Sequence, residues 1–133
     1  MIDTTVFAKL GSAQHTIDRY FSTFNQGKFD QTSQLFAPQG KLFPPFEEPI
    51  QGQAAIATYL ANEADGMEAA PVQADIQSLE HDQQKVSVKG KVTTFVFKVT
   101  VVWDFILDAQ HRILAVRINL LASLEELIKI RPA

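Results

Sequence analysis

The sequence contains no cysteine, so disulfides, thiolate nucleophiles and cysteine-bound metals are excluded at the outset. Its three histidines, His15, His81 and His111, stand far apart and read as solvated side chains rather than a metal cluster. Charge is sparse and balanced, 12 basic against 15 acidic residues for a net of −3, with no basic stretch. Nucleic-acid binders concentrate positive charge on one face, and charged tails come as blocks; neither pattern is present. No apolar run approaches the ~20 residues of a membrane-crossing helix. The first ten residues carry Asp3 and lack the basic start and long apolar stretch of a secretion signal. There is no glycine-rich phosphate loop and no nucleophile elbow. These absences lead us to expect a soluble cytoplasmic protein. What remains is 133 residues that are 46% hydrophobic, enough for one core and too few for two, hence a single domain over 1–133.

Phe7, Leu10, Ile17, Phe21 and Phe24 recur at three-, four- and seven-residue steps, which predicts an amphipathic first helix ending near Asn25-Gln26-Gly27. Phe29, Thr32, Leu35 and Phe36 predict a short second helix, stopped by Pro38 and Gly40. Lys41-Leu42-Phe43-Pro44-Pro45-Phe46 must be extended and then turn, because its two prolines forbid a helix and remove two ladder donors. Ile56, Tyr59, Leu60 and Glu63 mark a third helix after Gly52.

Beyond Pro71 the period becomes two. Val72, Ala74 and Ile76 predict one strand, and Val86, Val88, Val92 and Val96 a second. A third runs from Val99 to Leu107 and a fourth from Ile113 to Leu121. The connections His81-Asp82-Gln83-Gln84 and Asp108-Ala109-Gln110-His111 are short and polar, as in antiparallel hairpins. Ser123-Leu124-Glu125-Glu126 is a capping box that opens a last helix with Leu127 and Ile128 on its apolar side. Helices set apart from an antiparallel sheet make an α+β domain. We expect a curved sheet wrapped around the long first helix, a cone with an internal pocket.

The third strand carries the clearest hint of function. Val99, Val101, Trp103, Phe105 and Leu107 share one face, and Lys98, Thr100, Val102 and Asp104 share the other. The inward face then holds no carboxylate and no histidine. Its only polar atom is the Trp103 indole N–H, a donor that cannot accept. Tyr20 lies within the apolar arc of the first helix and adds a phenol. Two donors in an apolar wall suit a ligand carbonyl oxygen; two ordinary core aromatics would look the same in sequence. Glu47-Glu48, after the prolines, either rim the pocket mouth or form a solvated loop.

At these residues the sequence resembles the C-terminal domain of the cyanobacterial orange carotenoid protein, and more closely the stand-alone homologues of that domain, in the nuclear transport factor 2-like superfamily. The resemblance runs from about Ile17 to Ile130. It is carried by Tyr20 with Phe24-Asn25, Leu35-Phe36, Pro44-Pro45-Phe46, Pro49-Ile50 and Gly52. It continues in Gly90-Lys91-Val92, Trp103 with Phe105, and Leu120-Leu121-Ala122-Ser123 with Glu126-Leu127. The resemblance implies a non-enzymatic carotenoid-binding protein. Tyr20 and Trp103 would hydrogen-bond the keto oxygen of echinenone or canthaxanthin, with Val96, Phe97, Val101 and Phe105 as the remaining ligand-binding residues. It also implies photoprotection or carotenoid delivery, a homodimer sharing the ligand, and exchange with a helical partner homologous to the family's N-terminal domain. Brief membrane contact for uptake, at the thylakoid surface, belongs to the same expectation. The chain departs from the family at Val96-Phe97, where a tryptophan and then a phenylalanine or cysteine are usual, so one stacking wall and a thiol link between protomers are missing.

Two other readings use the same cone. An isomerase or dehydratase needs a general base in the pocket, and a one-residue change of register would bring Asp104 there. A non-catalytic dimerisation module would fill the cone with side chains.

Overall fold

The computed structural model describes residues 4–121. The expected terminal helix, with Ser123, Glu126, Leu127 and Ile128, lies outside the described residues, as does the Ala122-Ser123 end of the resemblance.

The first helix is broken. A 3-10 segment, Thr4–Ala13, precedes α1, Gln14–Asn25. Gly11, at φ 60° and ψ −130°, separates them with a backbone conformation that side chains disfavour. The apolar spacing passes through the break unaltered, because Phe7 and Leu10 are buried on the same core as Ile17, Phe21 and Phe24. Periodicity alone therefore reads one helix where there are two pieces. The end at Asn25 is as expected, and its side chain has a task there. Asn25 donates to the Ala69 carbonyl and accepts from the Ala69 N–H, both at 2.8 Å, like a strand partner.

The second helix, α2, is Phe29–Ser33, shorter than expected. Phe36 instead begins β1, Phe36–Phe43, which runs through Pro38 and Gly40. β1 pairs in parallel with β6, Ile113–Leu121, and the register slips between Phe36 and Lys41. Pro38 sits in that slip, where a missing ladder donor does least harm. A two-residue strand β2, Ile50–Gln51, pairs with Leu42 and Lys41, and α3, Gln53–Glu63, follows Gly52.

The remaining strands are β3, Glu68–Ser78, β4, Gln84–Thr93, and β5, Lys98–Leu107. With β6 they form three antiparallel hairpins, the two expected polar turns joining β3 to β4 and β5 to β6, and residues 94–97 joining β4 to β5. The sheet order is β2-β1-β6-β5-β4-β3. Two details differ from expectation. A bulge between Pro71 and Gln73 turns Val72 outward, leaving Ala69, Pro71 and Ala74 buried. Val96 is not part of β4 but stands in the turn beyond it. Within the bulged stretch Gly90 lies so close to β3 that a Cβ on it would meet the Ala70 carbonyl oxygen at 2.5 Å.

The described helices pack against this curved sheet, and the core between them is almost wholly apolar. Among the described residues the buried polar side chains are Thr16, Thr23, Thr32 and Ser33. Each is hydrogen-bonded: Thr16 donates to the His111 carbonyl, Thr23 and Thr32 bond each other at 2.7 Å, and Ser33 donates to the Asp30 carbonyl.

Candidate functional site

The β5 alternation is as the sequence predicts. Val101, Trp103, Phe105 and Leu107 are buried, with Val99 half-buried on the same face. Asp104 lies on the other face, where Ser87 Oγ donates to its carboxylate at 2.6 Å. Trp103 pairs with Val88 on one side and Ile118 on the other, so the register leaves no route for Asp104 into the core.

α1 lays Tyr20 against this wall. Its ring meets Phe105 edge-on at 5.0 Å and Phe21 edge-on at 5.2 Å, and stacks on Phe24 at 6.3 Å. Phe21 in turn meets Trp103 edge-on at 4.8 Å. Tyr20 and Trp103 thus belong to one aromatic cluster, joined through Phe21. The Tyr20 hydroxyl is sealed from solvent and has no hydrogen-bond partner among the described residues. Burial pushes its pKa far up, so the phenol stays protonated and can only be satisfied by bonding a partner brought to it. A buried, unpartnered hydroxyl costs about 1–3 kcal/mol. The donor chemistry fits a carbonyl oxygen.

The six candidate residues divide. Tyr20, Trp103, Val101 and Phe105 come together in the core. Val96 and Phe97 do not join them; they project from the β4–β5 turn and are exposed.

A cavity of about 950 Å³ opens at one end of the sheet and is not lined by Tyr20 or Trp103. It opens where the sheet splits. β1 stops at Phe43, because Pro44-Pro45 cannot continue the ladder, while β6 runs on to Leu121. The Pro44–Pro49 loop and Tyr59 of α3 face the exposed edge of β6 across the gap. Ile118 and Leu120 line it, and they are the cross-strand partners of Trp103 and Val101. The cavity therefore adjoins the aromatic cluster through one layer of side chains.

Its rim carries features that sequence reasoning did not assign. Tyr59 donates to Glu47 at 2.6 Å, so Glu47 is a rim residue as well as a solvated one. Burial, then the hydrogen bond and charge of Glu47 and the charge of Glu63, raise the Tyr59 pKa. The Arg117 guanidinium lies 4.3 Å over the Phe43 ring. The Pro-Pro break and Glu47-Glu48 were the sequence's hints of this rim. The rest depends on β1 meeting β6, a pairing that local pattern does not encode.

His111 is more than a solvated turn residue: it is half-buried, with its Nε2 3.0 Å from Ser12 Oγ. Among the described residues no group of histidines and carboxylates could hold a metal ion. No described helix is long and apolar enough to cross a membrane.

Comparison with known proteins agrees with this fold. Residues 12–121 match the nuclear transport factor 2 domain. The chain is 30% identical over 124 residues to the orange carotenoid-binding protein of Limnospira maxima, covering 90% of this chain and 39% of that protein. It is also 30% identical over 122 residues to the same protein of Synechocystis sp., covering 89% and 38%. The solved orange carotenoid protein of Anabaena (Nostoc) sp., which binds canthaxanthin, superposes with a TM-score of 0.78 at 33% identity, over 86% of this chain and 38% of that one. The chain thus spans about two fifths of the length of the curated relatives it matches.

Proposed function

The chain belongs to the nuclear transport factor 2 domain family, and from that premise we propose that it binds a ketocarotenoid by its end ring and carries or transfers it. The observation that carries this reading is the Tyr20 hydroxyl, a neutral donor buried without an acceptor in an apolar aromatic cluster. A keto oxygen supplies the missing acceptor, and Trp103 is the second donor. Echinenone or canthaxanthin has the required group. Each such bond contributes about 1 kcal/mol, and burial of the polyene supplies most of the affinity at roughly 25 cal/mol per Å².

In this reading Val101 and Phe105 form the wall beside the ring, and the polyene leaves past Ile118 and Leu120 toward the split in the sheet. Val96 and Phe97 touch the part of the ligand outside the core. A carotenoid is longer than one domain is deep, so its free half needs a cover. A second copy of the chain, sharing the ligand, or a helical partner provides it. Photoprotective quenching and delivery to such a partner are both compatible with this arrangement, and neither requires catalysis. The isomerase alternative needs a base in the core, and Asp104, its candidate, is engaged on the opposite face.

Co-expression in a host that makes canthaxanthin tests the proposal. The purified chain should be coloured, and Tyr20→Phe or Trp103→Phe should weaken binding about five- to tenfold or shift the absorption to the blue. A wild-type chain that stays colourless, or two variants that match wild type in both affinity and spectrum, overturns it.

A further inference from the structure

The β4–β5 turn presents three consecutive large apolar side chains to solvent: Phe95 at 99% exposure, Val96 at 85% and Phe97 at 43%. The turn is built firmly. Thr94 N–H donates to the Phe97 carbonyl at 2.9 Å, and Thr94 Oγ1 accepts from the N–H groups of Val96 and Phe97, each at 3.2 Å. Phe95 stands beside the α3–β3 turn, where a Cβ on Gly66 would lie 3.7 Å from its ring. Leu120 and Leu121, about two-fifths exposed, pair with Val101 and Thr100 just behind the turn. Leu120 also lines the large cavity.

Behind the apex the outer face of the hairpin is basic. Lys89, Lys91 and Lys98 are exposed there, with Lys91 Nζ donating to Thr100. Glu68, paired with Thr93 on the same face, and Asp65, beside Gly66, are the carboxylates nearby.

We propose that this hairpin tip is a wedge that seats the protein on a lipid bilayer, with Phe95, Val96 and Phe97 among the acyl chains and the lysines at the headgroups. The shape favours lipid over protein. A stable protein interface needs about 800 Å² from each side, whereas a narrow convex tip of three side chains fits a medium that deforms around it. The spacing also fits. Lys91 lies two residues inside the end of β4, about 7 Å along the strand from the base of the turn, and interfacial insertion reaches roughly 5–10 Å. Phenylalanine at depth with lysine stems reaching up to the headgroups is the expected layering. The role in ligand uptake rests on the carotenoid reading above: an apolar pigment dissolved in the bilayer would meet the Leu120 side of the cavity without crossing water. Bilayer contact itself stands on the tip alone.

Flotation of the full chain with vesicles tests it, using phosphatidylcholine alone and phosphatidylcholine with added phosphatidylglycerol. Wild type should float with both, and several-fold better with the anionic mixture, because the three lysines outnumber the two carboxylates. The variant Phe95→Ser should bind about tenfold less, with an unchanged melting curve, since the side chain is exposed. Failure of wild type to float, or equal flotation of the variant, overturns the proposal. So does a variant whose only change is a dimer turned monomer, an outcome that gives the tip to a second copy. A coloured chain that ignores vesicles loses this inference alone; a colourless chain that floats loses the carotenoid reading alone.

Discussion

Tyr20 keeps a hydroxyl where phenylalanine would pack as well, and the sign of its effect separates a ligand contact from a structural one. In the ligand-free chain, Tyr20→Phe removes an unpartnered buried polar atom and should raise stability by about 1 kcal/mol. In the pigment-loaded chain the same change should lower the melting temperature gained on binding. Paired thermal melts, with and without pigment, check this; a variant less stable than wild type when free would show that the hydroxyl has a protein partner. Asp108 is a second residue whose charge has a defined task, in the β5–β6 turn. Burial alone would raise its pKa, but the backbone N–H groups of Arg112 and Gln110 and the Arg112 side chain outweigh that and lower it. A lowered folded pKa means that its stabilisation is complete above the usual carboxylate range, near pH 4, and is lost as pH falls through the folded value. Asp108→Asn should therefore cost about 1–2 kcal/mol at pH 7 and little at pH 2, as read by urea unfolding at both. At this scale the sequence was informative wherever alternation was clean. Trp103 inward and Asp104 outward follow from period two, because one face of β5 is apolar throughout. That the Tyr20 hydroxyl has no partner was not legible, since it depends on which atoms three other elements bring near.

Among the elements, those with local signals were readable and those with borrowed partners were not. β4, β5 and β6 follow from alternation and polar turns, and α3 from its spacing after Gly52. The first helix looked continuous because Gly11 bends the backbone without disturbing the apolar rhythm. Leu35 and Phe36 looked helical because a two-residue overlap with α2 is indistinguishable from its last turn; β6 draws Phe36 into the sheet. The β3 bulge likewise reverses Val72, which the alternation placed inside. That bulge has a partner in Gly90, opposite Val101, where β3 backbone fills the space a side chain would need. Gly90→Ala should force β3 and β4 apart and destabilise the chain by about 1–3 kcal/mol, measured by thermal melting. An unchanged melt would mean the bulge relaxes freely.

For the whole molecule, composition and element order sufficed for α+β, since four strands in hairpins after three helices leave few other arrangements. The position of the cavity at the split in the sheet was not legible. It exists because β1 leaves the sheet early while β6 continues, and that requires knowing that the two are neighbours. The same pairing has a consequence for how the chain reaches its native form. Every other long pairing joins strands adjacent in sequence and can zip from a turn, but Leu42 meets Val116 only after the whole of α3 through β5 has been threaded between them. Closing so long a loop is entropically slow and is compensated only once the docking surface is ready. The β3–β6 meander should therefore form first, with β1 and the Pro44–Pro49 loop arriving last. The rim of the cavity would then be the final part of the protein to fold and the first to loosen, so the opening a ligand uses coincides with the seam at which the molecule was closed.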